Sequence, residues 1–159
     1  MCASDWPAVR DIYLEGIDTG NATFETLAPD WEVWDREHFS SCRFVARNND
    51  EAVIGWAALR PVSARHAYRG VAEVSVYITA RARGQGAGRA LLEALISSSE
   101  QNGIWMLQAG ILAENEASLE LHRRCGFREV GRRERIGKLQ DRWRDVVLME
   151  RRSKIVGID

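Results

Sequence analysis

The sequence predicts a single α/β domain with a mixed sheet flanked by helices, and three observations carry that expectation. Its 159 residues suffice for one ordinary domain with a sizeable core. Segments rich in β-branched and aromatic residues alternate with segments whose apolar residues recur at helical spacing. At the centre, the strand-like run Val71 to Ile78 leads through Gly84-Gln85-Gly86-Ala87-Gly88 into a helical stripe of Ala90, Leu91, Leu92, Ala94, Leu95 and Ile96. A strand turning directly into a helix is the unit from which helix-covered sheets are built.

Taken in order, Ser4 or Asp5 is placed to cap a first helix with Pro7 in its first turn and Val9, Ile12, Tyr13 and Ile17 on one face. Gly20 ends that helix, and Asn21 to Glu25 form a polar loop holding one aromatic, Phe24. A short helix is expected from about Asp30 to Phe39, with Val33, Trp34 and Phe39 inward. Phe44-Val45-Ala46 and Ala52 to Leu59 flank the turn signal Asn48-Asn49-Asp50 and read as a hairpin. The loop from Arg60 to Gly70 carries Arg60, Arg65, His66, Tyr68 and Arg69 and no acid. After the central strand, the glycine-loop helix runs to about Asn102 and stops at Gly103. Ile104 to Ile111 is the next strand, Asn115 caps a shorter helix ending at Cys125-Gly126, and strands near Phe127 to Ile136 and Trp143 to Glu150 close the chain.

Composition excludes several classes. No apolar run approaches the ~20 residues of a membrane helix, and Met1 to Asp5 has no basic, then apolar, signal-peptide pattern. Cys2, Cys42 and Cys125 show no metal-ligand spacing, so no metal site is expected and a reducing cytoplasm fits best. Net charge is −1, with 4 basic and 10 acidic residues over 1–50 against 12 basic and 6 acidic over 121–159. The late arginines are interleaved with acids rather than clustered, which suits a rim that attracts an anionic cofactor better than a nucleic-acid surface.

The glycine stretch has two physical readings. It makes a tight turn, or it cradles a phosphate on the unpaired N–H groups at a helix start. Three alternating glycines with Arg83 and Arg89 beside them favour the cradle. It is neither of two familiar phosphate loops. Gly88 is followed by Arg89-Ala90 rather than the Lys-Ser/Thr of a P-loop, and positions 89 and 91 lack the third glycine of a dinucleotide fingerprint. In the second informative stretch, Asn115 to Phe127, Asn115 is a cap whose amide could also meet a ligand. Ser118 and His122 share a helical face there.

Together these stretches resemble the GCN5-related N-acetyltransferases (GNAT). Arg83-x-x-Gly86-x-Gly88 is similar to that superfamily's pyrophosphate motif, and Asn115 to Gly126-Phe127 to its next block. The resemblance is closer to the phosphinothricin and methionine sulfoximine acetyltransferases, through Ala22 to Thr26, Arg65 to Tyr68, Glu73 to Ile78 and Arg142 to Val146. That group also resembles this chain in having histidine where the superfamily often has tyrosine. It departs in one respect: family members start with an edge strand, and here only Met1-Cys2-Ala3 precede the first helix.

The resemblance implies acetyl transfer from acetyl-CoA to a primary amine, in a homodimer whose sheet splays at the cofactor. It implies Glu73 as general base and His122 as the group that protonates the leaving thiolate. It places a backbone N–H of Val76, Tyr77 or Ile78 as oxyanion donor. Arg83, Gly84, Gln85, Gly86, Ala87, Gly88 and Arg89 would hold the pyrophosphate, with Asn115 and Ser118 near the pantetheine arm. Phe24, Glu25, Arg65 and Tyr68 would line the acceptor site, Arg65 holding a carboxylate. Cys125 is expected to be an inert buried thiol. Two other functions stay open at this point: acetylation of protein N-termini or polyamines, and acyl-CoA binding without turnover.

Overall fold

The structure, a computed structural model, describes residues 1–158. Its helices are α1 (Trp6–Asp18), α2 (Trp31–Glu37), α3 (Ala87–Gln101) and α4 (Glu116–Arg124). Its strands are β1 (Arg43–Arg47), β2 (Val53–Pro61), β3 (Val71–Ile78), β4 (Met106–Leu112), β5 (Arg128–Leu139) and β6 (Arg142–Arg152). They form one six-stranded sheet in the order β1-β2-β3-β4-β6-β5, antiparallel except where β3 meets β4. No described helix is long and apolar enough to cross a membrane.

Alternation along β2 sorts the two layers. Ala57 and Leu59 face α3 and pack with Leu91, Leu92 and Leu95; Trp56 and Ala58 face α1 and α2 and pack with Trp6, Val9, Ile12 and Trp34. Four of the six tryptophans, at 6, 31, 34 and 56, gather on this second face, with Trp34 stacked on Trp31 and Trp6 tilted against both.

Several expectations change in detail. Asp5 makes no side-chain cap bond; its carboxylate turns back to Cys2 N–H at 2.9 Å and takes Arg47 at 2.5 Å. α2 ends at Glu37, and Val33 points outward, because the seven-residue helix has only Trp34 to bury against Trp56. Phe39, beyond the helix, packs on the α3 side instead. β5 continues past Ile136 to Leu139 through an irregularity at 133–137, where Arg135 is left-handed (φ 48°). The segment before α1 is a single turn, Ala3–Asp5, and β1 is one edge of the sheet, with β5 the other.

One feature of the sheet positions the site. β3 and β4 pair only through Val71–Glu73 and Met106–Gln108. Yet β3 stays bonded to β2 as far as Ile78, and β4 to β6 as far as Leu112. Beyond Glu73 the two central strands therefore diverge, as the splayed sheet requires. Gly70 O accepts from Trp105 and Met106 N–H on the β4 side, whereas Val71 O accepts from Val62 N–H on the β2 side. Strand backbone groups alternate in direction, so Val76 and Ile78 aim their N–H and C=O groups into the gap and Tyr77 does not. Arg83 Nε bonds Ile78 O from that side at 3.2 Å.

Candidate active site

The gap opens into a cleft of about 1240 Å³, bounded by β3, β4, α4, the glycine loop and the loop after α1. At one end lie Gly84 and Gly86, both left-handed (φ 75° and 89°) with open space where a Cβ would stand. Glycine adopts that backbone freely, and other residues are strained in it. Gly86 precedes the first turn of α3, whose first intrahelical acceptor is its own carbonyl, bonded by Ala90 N–H at 3.0 Å. The N–H groups of Ala87, Gly88 and Arg89 are thus left for a ligand. At Gly88 a Cβ would lie 3.3 Å from Leu121, so α3 and α4 approach closely here.

Arg83 and Arg89 line this end; Arg89 is also paired with Glu93 at 2.8 Å. Gln85 and Ala87 do not line the cleft, and the Gln85 amide braces the loop by donating to Arg81 O at 2.9 Å. Arg124, one turn below Glu120 and bonded to it, lines the cleft too. In the sequence nothing marks it out from the many other late arginines.

α4 forms one wall. Asn115 Oδ1 accepts from Ser118 N–H at 3.1 Å, the expected cap. Its NH2 group, expected to be available to a ligand, donates instead to Asn21 O at 2.9 Å. His122 is buried at 3 % exposure, with Nδ1 bonded to Ser118 O at 2.8 Å. Since a carbonyl only accepts, Nδ1 carries the proton and Nε2 is a bare lone pair, buried without a partner. Burial pulls the His122 pKa below its ordinary value, against the opposing pull of Ser118 O. Cys125 is buried beside this helix, and burial raises its thiol pKa.

At the other end Glu73 and Arg60 stand opposite each other on β3 and β2. Arg60 Nε and Nη2 both bond Glu73 Oε1, at 3.1 and 2.5 Å. Burial would lower the Arg60 pKa, but the charge and hydrogen bond of Glu73 outweigh it and raise it. Tyr13, Thr23, Phe24, Glu25 and Tyr77 complete this end. Tyr77 stacks on Trp56 at 4.7 Å and meets Tyr13 edge-on at 4.9 Å, and burial pushes its phenol far up, so it stays a neutral hydroxyl. Arg65 and Tyr68 do not reach the cleft. They sit exposed on the His66–Tyr68 turn, because the loop after Pro61 turns outward before β3 begins. The arginine inside is Arg60, placed there by its register opposite Glu73; the pairing of Arg60 with an acid thirteen residues on was the available sequence signal.

The loop carrying Phe24 is fixed from two sides. Arg144 donates to Gly20 O at 2.7 Å and Asn21 Oδ1 at 3.0 Å, and pairs with Glu114 at 3.1 Å. Phe24 lies against Gly137, where a Cβ would come within 2.8 Å of its ring.

The sequence pattern of the Acetyltransferase (GNAT) family matches residues 6–127. The chain belongs to the GNAT acetyltransferases. It is 37% identical over 157 residues to a phosphinothricin N-acetyltransferase of Alcaligenes faecalis, covering 92% of this chain and 77% of that one. It is 30% identical over 154 residues to an L-methionine sulfoximine/L-methionine sulfone acetyltransferase of Pseudomonas paraeruginosa, covering 92% and 88%. Its fold superposes on a GNAT superfamily phosphinothricin acetyltransferase of Sinorhizobium meliloti in complex with AcCoA. The TM-score is 0.90 and the identity 32%, over 100% of this chain and 89% of that one.

This GNAT enzyme is therefore an acetyl-CoA-dependent N-acetyltransferase. The residues present fit the cofactor. Left-handed glycines open the start of α3 to a diphosphate, two arginines flank it, and an unpaired strand edge runs from there to Glu73.

Proposed function

We propose that this enzyme acetylates the primary amine of a small amino-acid-like acceptor, of the phosphinothricin or methionine sulfoximine kind. The observation that carries the reading is the acid–base pair Glu73–Arg60 at the far end of a cleft whose near end suits a diphosphate. The two relatives described above, at 37% and 30% identity, are named for such acceptors.

Bound acetyl-CoA supplies the acetyl group as a thioester. Glycines 84, 86 and 88 with Arg83 and Arg89 would hold its diphosphate, and Ser118 and the Asn115 cap, which line the same cleft, would lie along its arm. Glu73 takes one proton from the acceptor ammonium, leaving the neutral amine that attack requires. The N–H groups of Val76 and Ile78 face the developing oxyanion; donors so placed are worth about 3–4 kcal/mol where they have been removed. As the N–C bond forms and the C–S bond breaks, the nitrogen loses its second proton. His122 Nε2 is unprotonated and can accept that proton, then deliver it to the sulfur. Its lowered pKa makes the transient imidazolium a ready donor. In this scheme His122 is a relay that must be loaded before it can act as an acid.

The test is thioester loss, followed by absorbance, with L-methionine sulfone, L-phosphinothricin, a polyamine and an alanyl peptide as acceptors. Turnover of the first two above the no-amine control supports the reading. Turnover of the peptide or polyamine alone replaces it. Binding of acetyl-CoA without any turnover makes the chain an acyl-CoA-binding module. We further propose a homodimer, supported by exposed Val130, Ile136 and Trp143 on the β5–β6 pair; light scattering after size exclusion decides it.

A further inference from the structure

We infer that Glu15 of α1 is a positioning residue for the acetyl-CoA diphosphate. It holds Thr79 and Ala80, at the entry to the glycine loop, so that Gly84 and Gly86 present the start of α3 to the ligand. This role rests on the glycine loop being the diphosphate cradle, and it adds a residue that does not itself line the cofactor cleft.

Glu15 is half-buried on α1. Both of its oxygens accept from the Thr79 hydroxyl, at 2.9 and 3.0 Å, and Oε2 also accepts from Ala80 N–H at 2.9 Å. Thr79 is buried where β3 has ended and a single turn, Ala80–Ala82, begins. The Thr79 side chain makes no cap bond to that turn, so the Glu15 carboxylate caps it from outside. The turn closes through Ala82 N–H to Thr79 O at 3.0 Å, and Arg83 and Gly84 follow directly. Among the described residues, Glu15 is the one side chain from another element that hydrogen-bonds to residues 79–86.

Such an anchor matters because the loop beyond it is built on glycine. Gly84 and Gly86 have the most backbone freedom to lose when a ligand orders them, and a loop already held in its bound shape loses less of it. The helix that carries the anchor is itself fixed. Val9 and Ile12 are buried, and at Gly16 a Cβ would come within 2.7 Å of the Tyr77 ring. Asp11, Asp18, Arg81 and Arg83 line the hollow beside Glu15, yet among the described residues Glu15 is in no ion pair. Its hydrogen bonds go to this one segment.

The test compares acetyl-CoA with S-acetylpantetheine, which keeps the thioester and the arm but lacks the diphosphate. Wild-type enzyme should prefer acetyl-CoA in kcat/KM. Glu15→Ala should weaken acetyl-CoA binding by about tenfold in calorimetry, as expected for loss of a charged hydrogen bond. The donor ratio should fall as much, with kcat at saturating acetyl-CoA and kcat/KM for S-acetylpantetheine close to wild type. Glu15→Gln should restore most of the loss, since an amide can accept from Ala80 N–H and donate to the Thr79 hydroxyl. An unchanged circular dichroism spectrum certifies folding of the variants.

A merely structural role for Glu15 would lower kcat/KM for both donors and leave their ratio intact. That result, or unchanged acetyl-CoA affinity in Glu15→Ala, overturns the inference. Gly86→Glu separates this failure from failure of the cradle. If Gly86→Glu abolishes the advantage of acetyl-CoA and Glu15→Ala keeps it, only the role of Glu15 falls. If Gly86→Glu also keeps it, or the wild type shows none, the cradle falls and the role of Glu15 with it. Calorimetry needs no acceptor, so the affinity arm stands whichever amine the enzyme acetylates.

Discussion

The side-chain NH2 of Asn115 donates to the backbone carbonyl of Asn21 at 2.9 Å, joining residues 94 apart in the chain. Asn115 starts the helix that carries His122, and Asn21 starts the loop that carries Phe24 and Glu25. One amide thus ties the cofactor wall to the acceptor wall, and Arg144 reinforces the tie from β6.

Arg144→Met removes the bonds to Gly20 O and Asn21 Oδ1 and leaves the glycine loop untouched. The expected result is a rise in acceptor KM of about tenfold, consistent with loss of one or two charged hydrogen bonds. Acetyl-CoA affinity should stay nearly constant. Steady-state kinetics against both substrates check it; an equal loss for acetyl-CoA would show that Arg144 supports the whole cleft.

Gly86→Glu places a side chain, and a negative charge, at a backbone position with φ 89° at the start of α3. The left-handed strain costs about 1–2 kcal/mol, and the carboxylate repels the diphosphate. Acetyl-CoA binding by calorimetry should weaken by at least about 100-fold. A variant that binds normally would remove the glycine loop from the cofactor site.

Glu73→Gln keeps the shape of the side chain and deletes its basicity. Near neutral pH kcat/KM should fall by about 10²- to 10⁴-fold. An α-amino group has a pKa of roughly 8, so the deficit should shrink as pH rises and the amine becomes neutral unaided. A deficit independent of pH would point to a positional role for Glu73.

His122 and His38 both have pKa values lowered by burial, from an ordinary value of 6.5. Below that value the unfolded chain binds protons that the folded chain does not, so stability is full above about pH 6.5 and is lost as pH falls toward the folded values. Thermal melts from pH 7.5 to 5.5 should show a falling midpoint. In His122→Asn the slope should be shallower, and an identical slope would show that His122 is not among the groups responsible.

Gly137→Ala would set a methyl against the Phe24 ring, within 2.8 Å before relaxation, at a residue with no positive φ. Phe24 must shift, so acceptor KM should change several-fold while acetyl-CoA affinity and melting temperature stay close to wild type. A large loss of stability would show instead that the ring cannot move and that the β5 backbone gives way.

Periodicity and turn chemistry made the order of elements legible, because each helix and strand buries one face. They failed where burial is decided by few contacts. Val33 and Trp34 both looked apolar enough to turn inward, but a seven-residue helix buries only the one that meets Trp56. The glycine loop was legible because positive φ and unpaired N–H groups are written into residue type. Arg65 and Arg60 were not separable in this way, since in the sequence both fall in one basic stretch, and only strand register, which puts Arg60 in β2, distinguishes them. The engagement of Asn115 with Asn21 was equally hidden, being a contact between residues distant in the chain.

The divergence of β3 and β4 has a bearing on colloidal behaviour as well. An unpaired strand edge is the usual invitation for another chain to add itself to a sheet. Here the sheet has two such edges beyond those at its rims, yet they look at each other across an interior gap whose walls are α4 and the clamped loop. A second protein would need to dislodge those walls before it could register with either edge. The enzyme can therefore keep reactive backbone donors permanently bare without presenting them as a template for aggregation.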